Sequence, residues 1–208
     1  MRILVTAGPT REDLDPVRYL SNRSSGRMGY ALAAALQRLG HQVVLVSGPV
    51  ELEPPAGVER VPVWSARDML AACRERWPDM DGLAAVAAVA DYRPAKRARG
   101  KLKRAEGEGR SLELVPNPDI VRTLARRKGD RRVLGFALES SRGRAHARRK
   151  LVDKHLDWIA LNGPEAQGAS EATLLLLGAD GSERDLGPAR KELLARRLAA
   201  LTFPETNA

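Results

Sequence analysis

Short apolar runs of strand length alternate along this chain with longer stretches of helical periodicity, a pattern that predicts repeated β-α-β units. Ile3-Leu4-Val5 is the first strand-like run. From Gly26 a helix follows, with Met28, Leu32, Ala35, Leu36 and Leu39 recurring on one face and Gly40 closing it. Val43 to Val46 reads as a second buried strand cut off by Gly48-Pro49, and Val61 to Val63 as a third. Ser65 and Asp68 have the spacing of a capping box, and the helix they open stops near Trp77-Pro78. Leu83 to Ala90 is almost uninterruptedly apolar, as a central parallel strand buried on both faces is.

The second half continues the alternation and then changes. Residues 91–109 are rich in Lys, Arg, Gly and Glu and offer little to bury, so a mobile flap is expected there. Leu112 to Val115 reads as a strand. In Asn117-Pro118-Asp119 an N-cap, a proline at the first helical position and an acidic first turn are expected. Val133 to Ala137 and Trp158 to Leu161 are two more strands, separated by a basic helix around Ala145 to Leu156. Thr173 to Leu177, the turn Asp180-Gly181 and Glu183 to Leu186 suggest a hairpin. A last helix is expected from Pro188 to Leu201. Together these predict an α/β, Rossmann-like, doubly wound and mostly parallel sheet ending in a β-hairpin and helix, as one nucleotide-binding domain over residues 1–208.

Composition narrows the function classes. Hydrophobic residues make up 43% and charged residues 29%, an ordinary globular balance that excludes wholesale disorder. The single cysteine, Cys73, has no partner within the chain and sits beside Ala71 and Ala72, so it reads as packing in a reducing compartment. Met1-Arg2 runs straight into a strand with nothing like an export signal, and no apolar run approaches membrane-spanning length. A cytoplasmic location without membrane contact is the expectation. The net charge of +9 favours anionic ligands. Nucleic acid is not expected among them, because aromatic residues are only 4% and no reading helix is recognisable.

Open α/β sheets bind ligands beyond the carboxyl ends of their strands. The first strand runs there into Thr6-Ala7-Gly8-Pro9-Thr10, and the next helix opens after Asn22-Arg23-Ser24-Ser25-Gly26. A Gly/Ser-rich turn at a helix start suits phosphate, because no bulky side chain covers the amides. The sequence holds neither a G-x-G-x-x-G nor a P-loop fingerprint. Asn22 falls where the loop reaches the site, and its amide could hold an acyl oxygen or simply cap the loop. Tyr92 and Lys96 have the Y-x-x-x-K spacing of a reductase pair, but Pro94 between them opposes the helix such a pair needs. An NAD(P)-dependent reductase is therefore the rival on this fold class. Lys150 and Lys154 share a helix face with His146, which reads either as a solvated basic face or as an anion seat. The three histidines show no metal-ligand spacing, and no metal-binding residue is expected on the chain.

Taken together, several segments resemble one family. Thr6-Ala-Gly-Pro-Thr-Arg11, Asp15-Pro-Val-Arg-Tyr-Leu-Ser-Asn22, Ser24-Ser-Gly26, Ala87-Ala-Val-Ala-Asp-Tyr-Arg93, Lys101-Leu-Lys103, Asn117-Pro-Asp-Ile-Val121, Gly135-Phe-Ala137 and Arg149-Lys150 stand in the order found in phosphopantothenoylcysteine synthetases. The resemblance implies a ligase of coenzyme A biosynthesis. CTP would activate the carboxylate of 4′-phosphopantothenate as an acyl-cytidylate, and the amine of L-cysteine would displace CMP, with Mg²⁺ neutralising the triphosphate. It implies catalytic roles for Asn22, Lys101 and Arg18. It implies a nucleotide pocket of Ala85, Val86, Ala87, Asp91, Lys101, Pro118, Asp119, Ile120, Val121, Phe136, Lys150 and Lys154. It also implies a homodimer and a flavin-dependent decarboxylase, fused or separate, with no flavin on this chain. Three positions depart from the usual family pattern: Arg23 for His, Arg27 for Lys, and Gly100 for an acidic residue.

Overall fold

The structure is a computed structural model and describes residues 1–103, 109–138, 143–163 and 170–205. In chain order its strands are β1 (Arg2–Ala7), β2 (Arg11–Asp13), β3 (Tyr19–Ser21), β4 (Gln42–Ser47), β5 (Glu59–Pro62), β6 (Gly82–Ala85), β7 (Tyr92–Pro94), β8 (Leu114–Pro116), β9 (Arg132–Leu138), β10 (Trp158–Asn162), β11 (Glu171–Gly178) and β12 (Glu183–Arg190). The helices are α1 (Arg27–Arg38), α2 (Ala66–Arg76), α3 (Ile120–Ala125), α4 (Gly143–Asp153) and α5 (Lys191–Thr202).

Eight strands form one sheet in the order β12-β11-β10-β9-β6-β1-β4-β5. The run from β5 to β10 is parallel, and β11 and β12 add antiparallel pairs at one edge. Counted along the chain, the six parallel strands lie in the order 3-2-1-4-5-6, the Rossmann-like arrangement the sequence predicts. The order reverses between β1 and β6, and a crevice opens at such a point.

Period-two alternation in the strands divides the core between the two faces of the sheet. Ile3, Val5, Val43 and Leu45 pack with Leu32 and Leu36 of α1 and Leu194 and Leu198 of α5. Leu4, Val44 and Val46 face the other way, onto Met69 and Cys73 of α2, Leu124 of α3 and Leu151 of α4. Gly29 brings α1 close to β1: a Cβ there would lie 2.5 Å from the Cβ of Ala7. The predicted capping box is present at α2, where Ser65 and Asp68 satisfy each other's backbone amides. Among the described residues no helix is long and apolar enough to cross a membrane.

Four expectations are corrected. The apolar run Leu83 to Ala90 is not one strand, because β6 ends at Ala85. Beyond it the backbone leaves the sheet to bond with the end of β1 and the loop after it: Ala87 N donates to Thr6 Oγ1, Ala88 N to the Gly8 carbonyl and Ala90 N to Thr10 Oγ1. The apolar side chains of 86–90 are thereby released to line the site. Leu112 to Val115 yields β8, which joins β7 in a separate two-stranded ribbon rather than the main sheet. The cap of α3 is Asp119, whose Oδ1 accepts from Arg122 N at 3.0 Å, since the Asn117 amide donates instead to the Ala90 carbonyl. Pro188 belongs to β12, paired with Thr173, so the last helix begins at Lys191. Proline is tolerated there because β12 is an edge strand. The hairpin of β2 and β3 was not expected from the pattern. Of the expected flap, residues 104–108 lie outside the described residues, and its stem is the β7–β8 ribbon.

Candidate functional site

Two adjoining clefts open at the carboxyl ends of β1, β6 and β9. The first, of about 360 Å³, lies toward α3 and α4. Ala85, Ala87, Asp91, Pro118, Asp119, Ile120, Val121, Phe136, Lys150 and Lys154 line it, with Thr6, Asn117 and Gly135 among their neighbours. Ten of the residues implied for a nucleotide pocket therefore meet on one surface. The second cleft, of about 160 Å³, lies toward α1 and α5. Ser24, Ser25, Gly26, Arg27, Val86, Asn162 and Lys191 line it, and it shares Ala87 and Phe136 with the first.

In the first cleft two carboxylates stand among two ammonium groups. Lys154 Nζ lies 2.9 Å from Asp119 Oδ2, while Asp119 Oδ1 caps α3. The cleft wall is tied together from behind: Asn117 N donates to the Asp91 carbonyl at 2.8 Å, and Arg93 bonds to the Pro116 carbonyl. Two segments separated in sequence, 86–93 and 114–119, are thus held as one rim.

In the second cleft the α1 N-terminus opens at Gly26, whose φ of 76° is the left-handed conformation glycine adopts without strain. Its cap makes no side-chain hydrogen bond, and the first-turn residues Arg27, Met28 and Gly29 line the cleft with no capping side chain among the described residues. Lys191 is only 6% exposed. Burial, and after it the charge of Arg27, pushes its pKa below the ordinary lysine value. Two cations and a helix N-terminus, with no carboxylate lining the cleft among the described residues, form an anion-binding arrangement.

Asn22, Arg18 and Lys101 line neither cleft, and of the three only Asn22 bonds to a lining residue. Asn22 Nδ2 donates to the carbonyl of Ala88, a lining residue, at 2.9 Å. Arg18 is bound to Asp15 through Nε at 3.0 Å and Nη2 at 2.5 Å, and Nη2 also reaches the Leu102 carbonyl at 2.7 Å. Lys101 is exposed and adjoins Leu102. The Arg18 guanidinium beside Asp15 holds that carboxyl well below the usual carboxylate range, with the Leu102 amide assisting. Sequence reasoning missed Asp15, Asn162 and Lys191 as residues of the site or its support. Only Asp15 carried a signal, since an Asp three residues before an Arg in a Pro-containing turn is a local side-chain-to-backbone motif. Cys73 is buried and its thiol is pushed up to about 12 by desolvation, which fits the packing role expected of it.

Comparison with known proteins extends this picture. The model of the DNA/pantothenate metabolism flavoprotein C-terminal domain family matches residues 1–203. The coenzyme A biosynthesis bifunctional protein CoaBC of Escherichia coli strain K12 is 44% identical over 95% of this chain and 50% of its own length. Its namesake from Vibrio parahaemolyticus is 43% identical over 94% of this chain and 50% of that protein. The chain thus spans about half the length of the curated relatives it matches. A solved structure, the C-terminal domain of a CoaBC protein, superposes with a TM-score of 0.83 at 38% identity, covering 96% of this chain and 92% of that one.

Proposed function

The chain belongs to the DNA/pantothenate metabolism flavoprotein C-terminal domain family, and from that premise we propose that it is a CTP-dependent phosphopantothenate–cysteine ligase. One observation carries the reading. A chain matched almost end to end by this family's model folds so that ten of the expected nucleotide-pocket residues share a cleft beside a second, cationic one.

In this reading the nucleoside occupies the cleft of Asp119, Phe136 and Lys154, and the phosphates extend toward the α1 N-terminus, Arg27 and Lys191. A carboxylate oxygen of 4′-phosphopantothenate attacks the α-phosphorus of CTP. The bond to the β-phosphate bridge breaks, giving an acyl-cytidylate and pyrophosphate. The cysteine amine then attacks the acyl carbon, loses a proton and displaces CMP, leaving an amide. Asn22 orients the acyl oxygen at the rim, while Lys101 stabilises the charge that develops during transfer. Among the described residues no cluster of side chains would hold a metal ion by itself, so magnesium would come with the triphosphate, held by phosphate oxygens and water, and would neutralise its charge. By the same resemblance the proposed assembly is a homodimer working with a flavin-dependent decarboxylase.

Pyrophosphate release tests the proposal. Purified protein with Mg²⁺, 4′-phosphopantothenate and L-cysteine should release pyrophosphate with CTP well ahead of the other nucleoside triphosphates. No release with any of them, together with no heat on titrating Mg·CTP, would reject the ligase reading. Tight NADH binding would favour the reductase instead.

A further inference from the structure

Outside both clefts, the most heavily bonded side chain of the described residues is Asp15. Its carboxylate is fully buried. Oδ1 accepts the amides of Val17 and Arg18, each at 2.8 Å. Those two bonds complete a local turn and would suffice if shaping that turn were the whole role. Oδ2, however, accepts the Leu102 amide at 3.0 Å, from 87 residues further along the chain, as well as Arg18 Nε and Nη2. Arg18 Nη2 also donates to the Leu102 carbonyl, so one ion pair grips both backbone groups of a single flap residue. The seam continues through Ala98 N to the Leu14 carbonyl at 2.9 Å and Arg97 to Asp13 at 3.1 Å.

We propose that Asp15 is a positioning residue: by holding the Leu102 amide itself and orienting Arg18 onto the Leu102 carbonyl, it fixes the backbone from which the neighbouring Lys101 acts. The inference rests on the role given to Lys101 in the ligase reading. Charge-assisted bonds to a buried carboxylate make a short, directional clasp. A charged group that must meet developing charge loses much of its effect when its support shifts by an ångström. Because the carboxyl is held well below its ordinary range, the clasp is ionised near neutral pH.

Asp15→Asn is the direct test. It keeps an oxygen for the two local amides but replaces Oδ2 by a group that accepts from neither Leu102 nor Arg18. The rate of pyrophosphate release should fall on the order of 10- to 100-fold, with KM for CTP within about twofold. Placed on Lys101→Ala, the same substitution should add little, because both remove one function. Amide exchange at Leu102 should accelerate at least about tenfold whatever the reaction. Losses that multiply in the double variant, or unchanged protection of Leu102, overturn the inference. A wild-type chain with no turnover overturns the ligase reading instead. Should Asp15→Asn not fold, Arg18→Gln keeps the question decidable, with a smaller loss and the same non-additivity with Lys101→Ala expected.

Discussion

The two clefts share Ala87 and Phe136 yet differ in their charged groups. The cleft toward α3 and α4 sets Asp91 and Asp119 against Lys150 and Lys154, and its one described ion pair is partly solvated. The cleft toward α1 and α5 holds Arg27 and a buried Lys191, and among the described residues no carboxylate lines it. The difference teaches that a net charge of +9 is a poor guide to where an anion binds. A balanced surface reads shape and hydrogen bonds, whereas a buried lysine beside an exposed arginine gains when an anion arrives. A nucleoside triphosphate has one end suited to each.

The sharpest way to break this contrast is to move α1. Gly29→Val places a Cβ where it would meet Ala7 at 2.5 Å, so the helix must back away from β1 and carry its amides with it. Overpacking of this kind destabilises a core by about 1–3 kcal/mol. CTP affinity should fall by more than about 100-fold because the anion seat is dismantled, while cytidine still binds the other cleft within about threefold. Calorimetry with both ligands, beside a thermal melt, checks this. Equal losses for the two would show that the clefts are not separable.

Removing one charge is gentler. Lys191→Met should weaken CTP about 10- to 100-fold, as expected for charge-assisted hydrogen bonds of about 1.5–3 kcal/mol. Cytidine should be indifferent. The pH dependence has a fixed sign. A lysine with a lowered pKa loses its proton earlier on the way up, so wild-type CTP affinity should drop as pH rises toward the ordinary lysine value of 10.5. That drop should vanish in the variant, and a drop that persists would assign it to another group.

How much of this was legible beforehand differs between the clefts for a physical reason. The parallel strands were readable because burial on two faces leaves continuous apolar runs, and α2 because its cap is local in sequence. Ala85 to Val121 of the first cleft lie in or beside such elements, but the family resemblance, not the periodicity, marked them as a pocket. The second cleft depends on what the topology brings together: Lys191 reaches α1 only because β12 continues through Pro188 and delivers α5 to that face. Nothing in the residues around Lys191 announces it. The break after Ala85 was equally hidden, since apolar residues that line a cleft and apolar residues in a strand look alike until Thr6 and Thr10 are seen to take their amides. Asp15 lay in plain view within a recognised segment, but its partner Leu102 did not.

The smallest effect sharpens the comparison from the other side. The side chains of Lys154 and Asp119 are 29% and 38% exposed, so their 2.9 Å ion pair contributes at most about 1 kcal/mol after solvent screening. In Lys154→Met the Asp119 carboxylate still caps α3 through the Arg122 amide, and the melting temperature should stay within about two degrees. What changes is one wall of the balanced cleft. Cytidine and CTP should weaken together, by roughly two- to fivefold, since a half-solvated lysine beside a carboxylate adds little that only a triphosphate feels. Parallel losses would set this lysine apart from Lys191. A loss confined to CTP would mean that the phosphates are felt across both clefts as one field, and the division between a cleft for the nucleoside and a seat for the anion would then fail.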